Sequence, residues 1–158
     1  MLFLAPEAVL TRALGRGVVA ASDGPEAVLL EKSQISIVDD DQSFRESMRR
    51  LLKSLDYAVA AFPSAAEFLA SPNLAATACL VADVHMPAMT GIELYKHLTE
   101  RGDLIPTILV TAYLDDSVQE RMLTLGVECY LRKPLVEAVL IDCLHSAVAR
   151  GKAPRDAP

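Results

Sequence analysis

The chain has 158 residues, of which 52% are hydrophobic, and it carries a formal net charge of −6. This length and apolar content suit one compact domain with a well-formed core and some loose ends. The acidic balance and the scattered lysines and arginines argue against a nucleic-acid groove, because phosphate binding needs clustered basic side chains. We therefore expect no direct DNA binding.

Apolar runs and cysteines indicate the compartment. No apolar run approaches the ~18 residues that a membrane-spanning helix needs, and no basic residue precedes the first apolar stretch, as a signal peptide would require. The three cysteines, Cys79, Cys129 and Cys143, are far apart and lie among apolar neighbours. They match neither a disulfide framework nor a metal pattern, so we expect reduced thiols in a cytoplasmic protein without membrane insertion.

The two ends of the chain differ from its middle. In residues 1–33 the pentapeptide Pro-Glu-Ala-Val-Leu occurs twice, at Pro6–Leu10 and Pro25–Leu29, and proline followed by glutamate suits the first turn of a helix. Short helical turns, a frayed arm and a misassigned start codon all remain open for this extension, to which we assign no function. The tail, residues 151–158, is predicted to be disordered.

From Gln34 the chain alternates between short apolar runs and longer segments with helical spacing. The predicted strands are Ile35–Val38, Ala58–Phe62, Cys79–Ala82, Thr107–Val110 and Cys129–Leu131. The predicted helices are Ser43–Leu55, a short helix that begins at Ser64, Gly91–Glu100, Asp115–Leu125 and Leu135–Ala149. In the first helix Phe44 lies on the apolar stripe, and Arg45 lies on the face predicted to be solvated.

Five successive strand–helix units, with strands too apolar to alternate, predict a parallel sheet covered by helices on both faces. Right-handed crossovers leave few topologies. The best fit is an α/β, flavodoxin-like (βα)5 fold, a doubly wound parallel five-stranded sheet of order 2-1-3-4-5. We assign residues 34–150 to this domain.

Polar residues follow four of the five predicted strands. Asp39 and Asp40 follow the first strand and Asp83 the third, while Thr111 and Lys133 follow the fourth and the fifth. Each of these residues alone is commonly a turn former, a cap or surface decoration. Because the carboxyl ends of parallel strands share one rim, the five side chains together indicate a site.

The chemistry of this set is specific. Neighbouring carboxylates repel one another, and a hard divalent cation relieves the repulsion. A site with few protein oxygen donors suits Mg²⁺, which keeps part of its water. Lys133 adds a compact positive charge, and Thr111 adds a hydroxyl that can donate to an incoming oxygen. The set predicts phosphoryl transfer with Asp83 as the nucleophile.

Gln34 to Arg150 resembles the receiver domain of the two-component response regulators, the CheY-like superfamily. The residues that carry the resemblance are Val38-Asp39-Asp40-Asp41, Asp83-Val84-His85-Met86-Pro87 with Gly91, Thr111-Ala112 and Lys133-Pro134. The Asp-Asp-Asp run and the pattern Ser64, Ala65, Phe68, Leu69 are similar to FixJ-type receivers in particular.

The resemblance implies a phosphorylation site and its metal. Asp83 would accept a phosphoryl group from a sensor histidine kinase or a phosphotransfer protein. Mg²⁺ would be held by Asp39, Asp40 and Asp83 together with the backbone carbonyl of His85.

The resemblance also implies a switch. Lys133 would pair with a phosphoryl oxygen, and Thr111 would close on another oxygen once the aspartate is modified. Tyr130 matches the aromatic residue that turns inward together with Thr111. The Lys133–Pro134 bond is expected to be cis.

Two bulky side chains depart from the usual receiver pattern. His85 and Tyr113 stand two residues after Asp83 and Thr111, at positions that border the phosphoryl group and its attacking water in this family. We expect these side chains to screen the acyl phosphate and lengthen its lifetime. Leu135 stands where the family often has phenylalanine, and we expect a packing consequence alone.

FixJ-type receivers are commonly followed by a helix-turn-helix domain, whereas this sequence ends eight residues after Arg150. We therefore expect the signal to leave by protein contact. The last predicted helix is apolar over most of its circumference, more than one buried face requires. It predicts a downstream partner or a homodimer interface, with coverage by the N-terminal extension as the alternative.

The leading hypothesis is a stand-alone phosphoacceptor of a phosphorelay, a signalling domain rather than an enzyme. One alternative is a small Mg²⁺-dependent aspartyl-phosphate phosphohydrolase, which needs a second aspartate where this chain has His85. The other is an unphosphorylated receiver-like scaffold, against which the intact Asp83, Thr111 and Lys133 argue.

Overall fold

A computed structural model describes residues 31–151. In this part of the chain, five parallel strands form one sheet of order β2-β1-β3-β4-β5. The strands are β1 Gln34–Val38, β2 Ala58–Phe62, β3 Thr77–Asp83, β4 Thr107–Thr111 and β5 Cys129–Arg132. The predicted fold class and strand order are confirmed. The predictions for the N-terminal extension and the tail fall almost wholly on residues outside the described range.

In this range four helices connect the strands, and a fifth follows β5. They are α1 Gln42–Ser54, α2 Ala65–Leu69, α3 Gly91–Glu100, α4 Asp116–Thr124 and α5 Glu137–Gly151, with a short 3-10 turn at Pro72–Leu74. Side-chain caps set several of the starts: Asp41 caps α1, Ser64 caps α2, and Thr90 forms a capping box at α3. These caps satisfy backbone N–H groups that have no partner within the helix.

The sheet separates two hydrophobic clusters, one on each face. Leu80 and Ala82 of β3 belong to the cluster that contains Leu94 of α3, whereas Val81 belongs to the cluster that contains Leu144 of α5. Successive strand residues point to opposite faces, so a strand buried on both sides must be apolar throughout. This explains the continuous apolar runs in the sequence.

Most of the apolar surface of α5 is used inside the domain. Its buried residues are Leu140, Cys143, Leu144, Ala147 and Val148. Val139 on α5 and Val136 just before it are 45% and 64% exposed. The surface that the last helix leaves for a partner is therefore smaller than its composition predicts.

Within residues 31–151, no helix is long and apolar enough to cross a membrane.

A disulfide joins Cys129 of β5 to Cys143 of α5, so the prediction of three reduced thiols is wrong for this pair. The two Cα atoms lie 6.3 Å apart, within the range that a disulfide requires. Only the packing of α5 on the sheet brings the two cysteines together, and their spacing alone does not reveal it. Cys79 is a free, fully buried thiol, and burial strongly raises its pKa.

Reduction of this disulfide is expected to destabilise the domain. The two cysteines are 14 residues apart in sequence, and closing a loop of about 15 residues in the unfolded chain contributes about 3 kcal/mol to the free energy of unfolding. Urea unfolding with and without dithiothreitol measures the difference. Cys143→Ser should have the lower stability and no response to the reductant. Equal stability of the wild type in both conditions, with the bond verified by mass, would contradict this expectation.

Candidate functional site

The sheet brings the predicted residues to one rim. Asp39 follows β1, Asp83 ends β3, Thr111 ends β4 and Lys133 follows β5. Carboxylate oxygens of Asp39, Asp40 and Asp83 lie within 4.8 Å of one another. The Nζ atom of Lys133 lies 2.8 Å from Oδ2 of Asp39 and 3.5 Å from Oδ1 of Asp83. The convergence inferred from the strand ends is therefore present in the fold.

Burial gives this cluster unusual electrostatics. Asp39 is fully buried, Asp83 is 6% exposed and Asp40 is exposed. Burial and then the neighbouring charge of Asp39 raise the pKa of Asp83, although Lys133 and a hydrogen bond from the His85 backbone act in the opposite direction. The two like charges thus oppose each other in a site with little water.

Lys133 compensates only part of this negative charge. Burial by itself lowers the pKa of Lys133, but its contacts with Asp39 and Asp83 more than offset that effect, and the pKa is raised. One ammonium faces three carboxylates, so an excess of negative charge remains. Hard oxygen donors with excess negative charge suit a divalent cation such as Mg²⁺. The residues present therefore fit the metal that the sequence predicts.

Local hydrogen bonds fix the positions of Asp39 and Lys133, the two charged partners in this site. Oδ1 of Asp39 accepts the backbone N–H of Asp41 at 2.8 Å, while the other oxygen accepts Lys133. The backbone N–H of Lys133 donates to the carbonyl of Thr111 at 2.8 Å. The Lys133–Pro134 peptide bond is cis, as the resemblance implies. Both charged partners are thus anchored through the backbone of the strand ends.

The hydroxyl of Thr111 contacts the backbone of Tyr113, whereas the switch implied by the family resemblance requires it to contact a phosphoryl oxygen. Thr111 is fully buried, its Oγ1 lies 3.1 Å from the carbonyl of Tyr113, and it accepts the Tyr113 N–H at 3.1 Å. The hydroxyl is therefore engaged with the backbone of Tyr113. Tyr130 is already inward, 4% exposed, and burial raises its pKa.

The structure pairs two side chains that the sequence placed separately. The rings of His85 and Tyr113 meet edge to face, with centroids 5.9 Å apart and an interplanar angle of 73°. Both residues are exposed, and Tyr113 is 77% exposed. They follow Asp83 and Thr111, so this aromatic pair lies on the loops that border the carboxylate cluster.

Two contacts from the first turn of α1 were not predicted. The Phe44 ring centroid lies 4.2 Å from Nζ of Lys133, although the sequence suggested a core position. Nη1 of Arg45 donates to the carbonyl of Asp39 at 2.7 Å, although the sequence suggested a solvated face. One signal was available: a helix that starts directly after β1 must begin at the rim that holds the strand ends.

Gly91 is expected to be essential to the geometry of Asp83. A Cβ atom at this position would collide with the backbone carbonyl of Asp83. The backbone can relieve this collision only by a shift that lowers the stability of the fold. Gly91→Ala should therefore lower the free energy of unfolding by about 1–3 kcal/mol and weaken Mg²⁺ binding. Denaturant unfolding and a Mg²⁺ titration followed by tyrosine fluorescence measure both effects.

Gly102→Ala provides a matched control. Gly102 has a positive φ of 84° and no neighbour within 4 Å of an added Cβ, so its substitution strains the backbone away from the site. It should reduce stability and leave Mg²⁺ affinity unchanged. Wild-type Mg²⁺ affinity in Gly91→Ala would show that this glycine does not shape the site.

Known proteins are similar to this chain over most of its length. Residues 35–145 match the family described as the response regulator receiver domain. The response regulator protein TodT of Pseudomonas putida is 33% identical over 128 residues, which cover 78% of this chain and 56% of TodT. The transcriptional regulatory protein FixJ of Azorhizobium caulinodans is 34% identical over 120 residues, covering 76% of this chain and 57% of FixJ.

A solved structure supports the same assignment. The crystal structure of FixJ-N has a TM-score of 0.70 and 29% identity, covering 79% of this chain and 100% of that chain. The chain spans somewhat more than half the length of the two curated relatives. The resemblance noted in the sequence is confirmed, and the chain belongs to the response regulator receiver domain family of two-component signalling.

Proposed function

We propose that this receiver domain accepts a phosphoryl group on the carboxylate of Asp83. One oxygen of Asp83 forms the new bond to phosphorus, and the bond from phosphorus to the imidazole nitrogen of a phosphohistidine breaks. The leaving imidazole keeps the electron pair and takes up a proton. The observation that supports this proposal is a nearly buried Asp83 next to two further carboxylates and 3.5 Å from the ammonium of Lys133.

Mg²⁺ completes this site in our proposal. Asp39, Asp40, Asp83 and the backbone carbonyl of His85 would hold the ion, which offsets negative charge where an anionic donor must approach. Lys133 contributes the second positive charge and pairs with a phosphoryl oxygen. In this reaction the domain is the acceptor of the phosphoryl group, which is the role of a signalling domain.

The response to phosphorylation would begin at Thr111. Its hydroxyl exchanges the carbonyl of Tyr113 for a phosphoryl oxygen, which releases the backbone after β4. Tyr130 lies inward on the neighbouring strand, and the nearby Gln119 of α4 donates to the Tyr130 carbonyl at 3.2 Å. A change at Thr111 can therefore reach α4 through β5.

The partners follow from the same reasoning. A sensor histidine kinase or a phosphotransfer protein would supply the phosphoryl group. A downstream protein, or a second copy of the domain, would contact the last helix around the exposed Val136 and Val139. The absence of direct DNA binding stays a prediction for this chain.

Modification of Asp83 by a small phosphodonor is the direct test. Wild-type protein incubated with Mg²⁺ and acetyl phosphate should gain the mass of one phosphoryl group, and omission of Mg²⁺ should abolish the gain. Asp83→Asn, which keeps the shape of the side chain and removes the nucleophile, should remain unmodified. No gain in the wild type, or an equal gain in the asparagine variant, would refute the proposal.

The His85–Tyr113 pair should control how long the phosphoryl group persists. Removing either ring opens the acyl phosphate to water, so His85→Ala and Tyr113→Ala should lose phosphate at least about 3-fold faster, equivalent to about 0.7 kcal/mol in the barrier. A phosphate-release time course after removal of the donor gives the rates. Tyr113→Phe keeps the ring and should retain the wild-type rate, whereas unchanged release in both alanine variants would exclude screening.

A further inference from the structure

Phe44 lies against the lysine of the site. Nζ of Lys133 is 4.2 Å from the centroid of the Phe44 ring, a distance at which an ammonium is attracted to an aromatic face. The Lys133 side chain is 21% exposed, so water screens this contact only in part. Phe44 also lines an apolar groove with Met48 and Leu51 of α1 and with Leu135.

The backbone ties the position of this ring to the site. The carboxylate of Asp41 caps α1 by accepting the backbone N–H groups of Ser43 and Phe44. The next residue, Arg45, donates to the carbonyl of Asp39 at 2.7 Å. The start of α1 is therefore fastened to the loop that carries the buried carboxylate, and the ring is held in register with it.

We propose that Phe44 is a positioning residue, whose ring face keeps the ammonium of Lys133 at the rim where the phosphoryl oxygen arrives. The inference rests on the proposed phosphorylation of Asp83. It assigns a function to a side chain that would otherwise be counted as part of the apolar stripe of α1.

The chemistry of the ring explains why it suits this task. The other partners of Lys133 are Asp39 and Asp83, and a further carboxylate would repel an anionic donor. An aliphatic side chain would shield the ammonium without attracting it. An aromatic face attracts the cation through its quadrupole and carries no net charge. Nζ can therefore move from a carboxylate to a phosphoryl oxygen and remain over the ring.

The experiment compares rates of Asp83 modification by acetyl phosphate with Mg²⁺ present. Phe44→Leu keeps an apolar side chain of similar reach and removes the ring, so the rate constant should fall about 3- to 10-fold. Phe44→Tyr restores the ring and should recover most of the rate. Phe44→Met, another variant without the ring, should show the same loss and serves if the leucine variant does not fold. A small donor removes any contribution from protein docking.

Leu51→Ala is the matched control within the same groove. Leu51 lies about two helical turns further along α1, so its truncation disturbs the groove and should leave the rate with acetyl phosphate unchanged. A double-mutant cycle isolates the coupling: in a Lys133→Gln background, Phe44→Leu should have no further effect. The ring-current shift of the Lys133 Cε protons should be lost in Phe44→Leu and kept in Leu51→Ala.

The outcomes separate this inference from the proposed function. If wild-type Asp83 is not modified, both fail. If the wild type is modified and Phe44→Leu reacts at the same rate, or loses the same factor with and without Lys133, only the positioning role fails. A loss confined to proteins that contain Lys133, with recovery in Phe44→Tyr, supports it.

Discussion

The chemistry of the site depends on one repulsive interaction, between two carboxylates that are buried side by side at the end of a parallel sheet. Asp39 follows β1 and Asp83 ends the neighbouring strand β3, so the sheet itself forces them together, and burial removes the water that would screen them. A single ammonium, that of Lys133, offsets part of their charge. The negative charge that remains is the basis of the Mg²⁺ site and the phosphoryl acceptor that we propose. The folded domain keeps these carboxylates close together because the two apolar clusters fix its backbone.

The groups around the site are of two kinds: some fix the positions of the charged side chains, and others can change hydrogen-bond partners. Backbone hydrogen bonds anchor Asp39 and the strand end before Lys133. Thr111 is different, because its hydroxyl contacts the backbone of an exposed tyrosine and can exchange partners by rotation about one bond. In the switch that we propose, the exchange of hydrogen-bond partners is therefore confined to one side chain beside the charged cluster.

Periodicity and strand-end chemistry were sufficient to predict the fold and the five rim residues, since a parallel sheet converts sequence order directly into spatial order. They were insufficient for contacts made by helices. The Cys129–Cys143 bond, the Phe44–Lys133 contact and the Arg45 hydrogen bond all depend on how a helix sits on the sheet. Helical spacing gives the buried face and leaves the neighbours on that face unspecified.

The disulfide restricts the kinds of motion open to β5. Cys129 and Tyr130 are consecutive, so their side chains point to opposite faces of the strand. One is bonded covalently to α5, and the other lies in the cluster beneath α4. In the oxidised protein, β5 cannot slide along its axis without pulling α5 with it. In the switch that we propose, a signal through Tyr130 would travel by torsion of a side chain about a fixed strand, and reduction of the disulfide would add translation of that strand as a second degree of freedom.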